Sequence, residues 1–211
     1  MARISKGILG GVSGSIGTVV GATWKGIPYL RGKGERKKRI PTPAQQAQRL
    51  RFAVGMAFIH PLSKLLETTF YNVAHEMTGI NSALGYTIKH ALVGEYPNYS
   101  IDYSHTMIAR GDLPAAKNPS VIIDQNGIAS FSWENNSGLG TAADTDRSIL
   151  VAFCPQQKQG NYILSGSVRS SLSATLDISA FKDSEIFLWI AFISADGKEV
   201  SDSQYLINVG V

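Results

Sequence analysis

The second half of this chain alternates apolar and polar residues with a period of two, and turn signals interrupt it often. Pro119–Ile123 and Ile128–Glu134 flank the sequence Asp-Gln-Asn-Gly, which is a strong hairpin signal. Because no helical pattern separates the strands, this half is predicted to form an antiparallel β-sandwich. The other strands are expected at Ser100–Ile108, Ile149–Cys154, Tyr162–Ser165, Ser173–Ile178, Ile186–Ser194 and Gln204–Val209.

A helical pattern, with apolar residues three or four positions apart, precedes these strands. Thr42 and Pro43 indicate a helix start, since threonine caps helices and proline suits the first helical position. Pro61 is expected to kink or divide this helix, because proline removes a hydrogen bond, and Gly79 is expected to end it. A further helix is predicted over Ser82–Val93.

Glycine and large apolar residues are interleaved over residues 7–32, which contain eight glycines. Such interleaving is typical of strands whose backbones approach one another closely. Gly17–Trp24 and Ile27–Arg31 are predicted to pair as a hairpin that turns at Lys25 and Gly26. An isolated hairpin is marginal in water, so we expect it to dock on the rest of the chain or on another subunit.

Together these patterns predict an α+β fold with an N-terminal β-hairpin, a helical segment and an antiparallel sandwich. The predicted segments are residues 1–40 for the glycine-rich hairpin and basic arm, 41–95 for the helices, and 96–211 for the sandwich, with a core at about 118–211. The chain has one cysteine, Cys154, so no internal disulfide is possible. Because Cys154 lies in an apolar run, it is predicted to be a buried apolar residue.

Positive charge is concentrated at the start of the chain. Residues 1–60 hold eleven Lys and Arg against one acid, whereas residues 61–211 hold nine basic and fifteen acidic residues. A dense basic block repels itself unless a partner neutralises it. The candidate interaction residues are this block and two aromatic neighbours that could stack on bases: Arg31, Lys33, Arg36, Lys37, Lys38, Arg39, Trp24 and Tyr29.

Three interpretations of the basic block stay open. It is an exposed loop between the hairpin and the helix, it docks on an acidic face of another copy, or it binds nucleic acid through about six phosphate contacts. No recognised nucleic-acid-binding motif follows the block.

No catalytic, metal or cofactor site is predicted. The four histidines are scattered, no Gly-x-Ser-x-Gly turn occurs, and the glycine-rich start lacks the Gly-Lys-Ser/Thr ending of a phosphate loop. Asp144 and Asp146 alternate in a loop, but the calcium-binding pattern with a glutamate at its twelfth position is missing. We therefore expect a protein that is not an enzyme.

Neither a secretory signal nor an apolar run of about 20 residues, the length needed to span a bilayer, is recognisable. The expectation is a protein made in the cytoplasm, without a membrane span, that enters a larger assembly.

Three apolar segments resemble strands of a fibronectin-type-III or immunoglobulin-like module. They are Phe131-Ser-Trp133, Ser148-Ile-Leu-Val-Ala-Phe153 and Phe187-Leu-Trp189-Ile-Ala-Phe-Ile193. The resemblance covers about residues 118–211. It implies a sandwich in which Trp133 and Trp189 face the core, and it implies no particular function.

The order of motifs along the whole chain resembles an uncharacterised bacterial family of unknown function. The motifs are Lys6-Gly-Ile-Leu-Gly-Gly, Gly17-Thr-Val-Val-Gly, Trp24-Lys-Gly-Ile-Pro-Tyr-Leu-Arg31 and Pro41-Thr-Pro-Ala-Gln-Gln-Ala-Gln-Arg49. The hairpin, the basic arm and the glutamine-rich helix start are also similar to pieces of phage structural proteins. Neither resemblance implies functional residues.

The first hypothesis is a structural protein that self-associates into a homo-oligomer through its N-terminal arm, as a component of a virion-like particle or a filament. The second is a nucleic-acid-associated protein that uses the basic block at residues 31–39. The third is binding of carbohydrate or protein by the sandwich alone, for which the sequence offers only exposed loops such as Asn135–Gly140.

Overall fold

The computed structural model describes residues 3–4, 10–24, 26–34, 40–74, 76–182 and 184–206, with side chains from residue 10 onward. It combines helices with several antiparallel sheets, so the predicted α+β class is confirmed. The chain divides into two compact units, Met1–Thr42 and Pro43–Val211. The division into three segments stays a prediction.

The first unit holds a four-stranded antiparallel sheet in the order β1-β2-β3-β4. The predicted hairpin is present, with β3 paired to β4 and Gly26 at a φ of +82° in the turn. Lys25, the other predicted turn residue, lies outside the described residues. The strands are β1 (Arg3–Ile4), β2 (Val12–Ile16), β3 (Val19–Trp24) and β4 (Ile27–Gly32).

The second unit begins with helices: α1 (Pro43–Ile59), α2 (Ser63–Thr69) and α3 (Gly79–His90). Pro61 divides the first two as expected, within a 3-10 turn over His60–Leu62. Gly79 does not end a helix, because it is the first residue of α3, and Thr78 caps that helix by accepting the Asn81 N–H at 3.3 Å. A Cβ at Gly79 would overlap the carbonyl oxygens of α2, which explains the glycine.

A short hairpin follows, formed by β5 (Leu92–Glu95) and β6 (Asn98–Ile101). The helix expected over Ser82–Val93 thus ends earlier than predicted, at His90. The strand expected over Ser100–Ile108 also ends early, because Asp102 accepts the Ser104 N–H and starts a 3-10 turn over Tyr103–His105.

Seven strands complete the unit in two antiparallel sheets, one in the order β10-β9-β12-β13 and the other in the order β11-β8-β7. The turn predicted at Asp124–Gly127 joins β7 to β8. The strands are β7 (Lys117–Ile123), β8 (Ile128–Glu134), β9 (Arg147–Cys154), β10 (Gln159–Ile163), β11 (Ser173–Asp177), β12 (Phe187–Ile193) and β13 (Gln204–Leu206).

Two buried clusters hold the helices and the two sheets of this unit together, and the sheet β10-β9-β12-β13 contributes to both. One cluster lies between the two sheets and includes Leu150 and Ile190. The other joins the helices to the same sheet and includes Phe58, Val151 and Trp189. Since successive residues of a strand point to opposite faces, β9 and β12 are buried on both sides.

The predicted position of one tryptophan is wrong. Trp133 lies in the cluster between the sheets, as expected. Trp189 points to the opposite face of its sheet and packs against the helices, with its ring centroid 5.9 Å from that of Phe58. The sequence resemblance did not anticipate that helices would cover the outer face of this sheet.

A buried arginine joins the loops at one end of the two sheets. Arg169 is 0% exposed. Its guanidinium donates to Asp146 Oδ2 at 3.1 Å, Asn136 Oδ1 at 2.7 Å and the Pro114 carbonyl at 2.9 Å, and it lies 3.9 Å above the Phe192 ring. Burial lowers the pKa of the guanidinium, and the Asp146 carboxylate opposes that shift. This charge is retained in the interior because each of the three guanidinium nitrogens donates a hydrogen bond, one of them to a carboxylate.

Replacing this arginine tests its structural role. Arg169→Met leaves the Asp146 carboxylate buried without its cation, so we expect the free energy of unfolding to fall by about 3–5 kcal/mol. Urea unfolding followed by circular dichroism measures the change. The control is Lys117→Met at the exposed Lys117–Glu134 pair, and we expect no measurable change there. Equal losses in the two variants would contradict the role of the buried pair.

Candidate interaction face

The register of β3 and β4 divides the N-terminal sheet into two distinct faces. Trp24 lies opposite Ile27, Ala22 opposite Tyr29, and Val20 opposite Arg31. Residues directly opposite in an antiparallel pair point to the same face.

Lys33 continues this register by one position, because its N–H donates to the Thr18 carbonyl at 2.7 Å. One face therefore carries Trp24, Ile27, Tyr29, Arg31 and Lys33, and we call it the aromatic–basic face. Its apolar end lies at the β3–β4 turn, and its cationic end lies about 20 Å away at a rise of about 3.4 Å per residue.

The aromatic–basic face is open. Trp24 and Ile27 are each 64% exposed and Tyr29 is 44% exposed. These three side chains line a shallow cavity of about 290 Å³. Exposed large apolar side chains that adjoin one another are typical of a surface that another molecule covers.

The opposite face is partly covered by the chain itself. Residues 11 and 12 pass over it, with Gly11 against Pro28 and the Val12 backbone against Gly21. Gly21 is nevertheless the only buried residue within 10–24 and 26–34. The part of this unit that the structure describes has no buried apolar side chain, although a small sheet normally needs a packed apolar face to be stable.

The structure brings together four of the eight predicted interaction residues: Trp24, Tyr29, Arg31 and Lys33. The other four, Arg36, Lys37, Lys38 and Arg39, lie outside the described residues. Sequence reasoning missed Ile27, which shares the apolar end of the face. The alternation of the predicted hairpin, continued through its turn, would have found it.

A second group of polar side chains contains a serine, a histidine and an aspartate, which sequence reasoning also missed. Asp102 accepts from Ser104 Oγ at 2.6 Å and lies 2.8 Å from His105 Nδ1, while Ser104 Oγ is 3.1 Å from that same nitrogen. The hydrogen bond from Ser104, followed by that with His105, lowers the pKa of the Asp102 carboxyl. Serine and aspartate share one ring nitrogen, whereas a nucleophile and its orienting acid need opposite nitrogens. The group caps the 3-10 turn.

Metal ligands do not converge in the described part of the chain: no three His, Cys, Asp or Glu side chains there could hold an ion. Asp146 bonds to Arg169, and His75 lies outside the described residues. Among the described helices, none is both long and apolar enough to cross a membrane.

Fold and site together define a two-unit α+β protein with an open aromatic–basic face. Residues 11–207 match a family described as "Family of unknown function (DUF6266)", and the chain belongs to this family. The resemblance to an uncharacterised family, drawn from the order of motifs, is thereby confirmed. No curated protein and no solved structure matches the chain.

Two glycines of the first unit provide a matched test of its sheet. A Cβ at Gly21 would overlap the carbonyl oxygen of Val12, whereas a Cβ at Gly32 would meet nothing within 4 Å. We expect Gly21→Ala to disrupt β2–β3 pairing and Gly32→Ala to leave it intact. Hydrogen–deuterium exchange of residues 19–32 measures the difference, with exchange in β9 and β12 as the internal reference. Equal protection in both variants would contradict the close approach.

Proposed function

We propose that this protein is a non-enzymatic assembly protein that self-associates through the aromatic–basic face of its N-terminal sheet. The observation that supports this most is the exposure of Trp24, Ile27 and Tyr29 on a unit whose described residues bury only a glycine. Covering these side chains with a second copy would supply the apolar packing that the described residues of the unit lack.

The free energy gained by burying these side chains, compared with the cost of association, favours a symmetric contact. Fully burying one large apolar side chain stabilises by about 1.5–3 kcal/mol, while association costs about 4–15 kcal/mol. Three side chains from one copy barely offset that cost. A two-fold contact uses the same patch on both copies and doubles the buried area.

Charge then selects the arrangement. Arg31 and Lys33 lie at the far end of the face from Trp24, so a two-fold axis near the aromatic end keeps the cations of the two copies apart. Overlap of the full faces would instead place like charges together, which opposes association. Added salt therefore weakens the repulsion and leaves the apolar contact in place.

For the second unit we propose an immunoglobulin-like sandwich of the fibronectin-type-III kind. Lettering β7 to β13 in chain order as A, B, C, C′, E, F and G puts A, B and E in one sheet and C, C′, F and G in the other. Immunoglobulin-like domains divide strands A, B, E and C, F, G in this manner. Such a domain would be a rigid body, and self-association of the N-terminal sheet would bring several copies of it into one assembly.

Light scattering after size exclusion tests the proposal on the full chain. We expect a concentration-dependent oligomer for the wild type, and the monomer mass of 22.7 kDa for Trp24→Ser combined with Ile27→Ser. The oligomer should persist or increase when salt is raised, since its contact is apolar.

The matched control is Ile122→Ser, which removes an equally exposed apolar side chain (67%) from strand β7 of the second unit. This variant should retain the wild-type mass. A monomeric wild type at high concentration, or loss of the oligomer in the control as well, would refute self-association through this face.

The second candidate function is binding of single-stranded nucleic acid. The observation in its favour is that Trp24 and Tyr29 share a face with Arg31 and Lys33, because stacking aromatics beside cations suit a flexible polyanion. The further cations Arg36, Lys37, Lys38 and Arg39 follow closely in sequence.

Fluorescence anisotropy with a mixed-sequence single-stranded DNA tests this candidate. Binding should weaken about 300-fold between 50 and 200 mM salt, as expected for about six phosphate contacts with a single strand. Replacing Lys37, Lys38 and Arg39 together with Ala should abolish it, whereas Lys64→Glu in the second unit should not. Binding without salt dependence would exclude this function and leave self-association untouched.

A further inference from the structure

A groove runs along helix α1 in the second unit. Two adjoining cavities, of about 420 and 410 Å³, share Ala53 as a common wall. Helix residues from Gln46 to Phe58 line it, which at 1.5 Å per residue is a length of about 18 Å. Each cavity lies within the range of about 300–1,000 Å³ that is typical of small-molecule sites.

The floor of the groove is apolar, although it faces solvent. No charged side chain occurs in α1 between Phe52 and Ile59. Nevertheless Phe52, Ala53 and Ala57 are exposed on this helix. The last two turns of α1 carry no polar side chain, and an all-round apolar segment is normally covered, so these exposed residues indicate a surface that packs against another molecule.

The far wall gives the groove its shape. Ile101 and Tyr103 lie across from α1, and the Tyr103 ring packs on Phe58 and Phe153 with centroids 5.7 and 5.6 Å apart. These rings line one of the two cavities, and burial, followed by the nearby Glu185 carboxylate, raises the pKa of the Tyr103 hydroxyl. The small side chains Ala53 and Ala57 leave room above the floor.

The charged groups that line the groove are both cations. Lys158 lines the cavity that contains the aromatic rings and Arg49 lines the other, and no carboxylate among the described residues lines either cavity. Neither cation has an ion-pair partner among the described residues. An anionic group at one end of an apolar molecule is therefore the complementary ligand.

Charge also decides against the N-terminal sheet of a second copy as the occupant. Residues 1–42 carry nine Lys and Arg against one acid. A strongly basic unit is repelled by a groove whose charged lining residues, in the part of the chain that the structure describes, are cations.

We propose that the α1 groove binds a straight-chain aliphatic carboxylate, with its hydrocarbon tail along Leu50, Ala53 and Ala57 and its carboxylate at Lys158. The apolar floor suits the tail, and Ser100 and Tyr103 line the same cavity as the lysine. This site is independent of self-association through the N-terminal sheet.

Isothermal titration of the full-length chain with decanoate, below its micelle concentration, tests the proposal. We expect decanoate to bind saturably at one site. It should bind about tenfold more tightly than octanoate, because octanoate buries two fewer methylene groups. Nonyltrimethylammonium, which has the same nine-carbon tail and the opposite charge, should bind at least about tenfold more weakly than decanoate.

Two variants place the ligand in the groove. Ala57→Trp fills it and should abolish binding, and Lys158→Glu should weaken it about tenfold or more. The matched controls are Ala44→Trp, on the same helix outside both cavities, and Lys64→Glu on α2, and both should bind as the wild type does. Lys158→Gly should also weaken binding, because it removes the cation. It preserves the fold, since Lys158 has a φ of +51°, which glycine adopts without strain.

The proposal is wrong if decanoate gives no saturable heat, or if the cationic surfactant binds equally well. Binding that survives in Ala57→Trp would place the hydrocarbon elsewhere, such as on the aromatic–basic face, and would also refute it. Loss of binding in Ala44→Trp to the same extent as in Ala57→Trp would do so too.

Discussion

Burial of β9 and β12 on both of their faces is the constraint on which the second unit depends. Every residue of β9 from Ser148 to Cys154 is buried, and β12 is buried from Leu188 to Ile193. One face packs against the helices and the other against the three-stranded sheet. Antiparallel sheets commonly leave one face exposed to water. A strand that is covered on both faces needs a continuous run of apolar residues, because every side chain is then buried.

The sequence predicted the strands well where local signals are strong. The Asp-Gln-Asn-Gly turn, the apolar runs of β9 and β12 and the helix start at Pro43 each depend on residues close in the chain. Layering could not be predicted in the same way, because a continuous apolar run does not reveal what lies on each side. The predicted face of Trp189 is therefore wrong. The predicted helix end at Gly79 is also wrong, because glycine both ends helices and permits close approach, and only the position of α2 distinguishes the two.

The candidate face shows the same division between local and distant information. Trp24 and Tyr29 could be selected from the sequence because they adjoin a basic block, and the predicted hairpin register places them together with Ile27. The α1 groove could not be found in that way. Its walls come from α1, the β6 region and the turn after β9, which are brought together only by the fold.

The alternation in β9 and β12 has a consequence for how this family can vary. Odd-numbered residues such as Val151 and Trp189 belong to the helical cluster, and even-numbered residues such as Leu150 and Ile190 belong to the cluster between the sheets. Inserting or deleting one residue within either strand would exchange the two sets and mismatch both interfaces at once. Differences in length among relatives should therefore be confined to turns. The register of β9 and β12, which decides the face to which each residue points, should be the most invariant property of the fold.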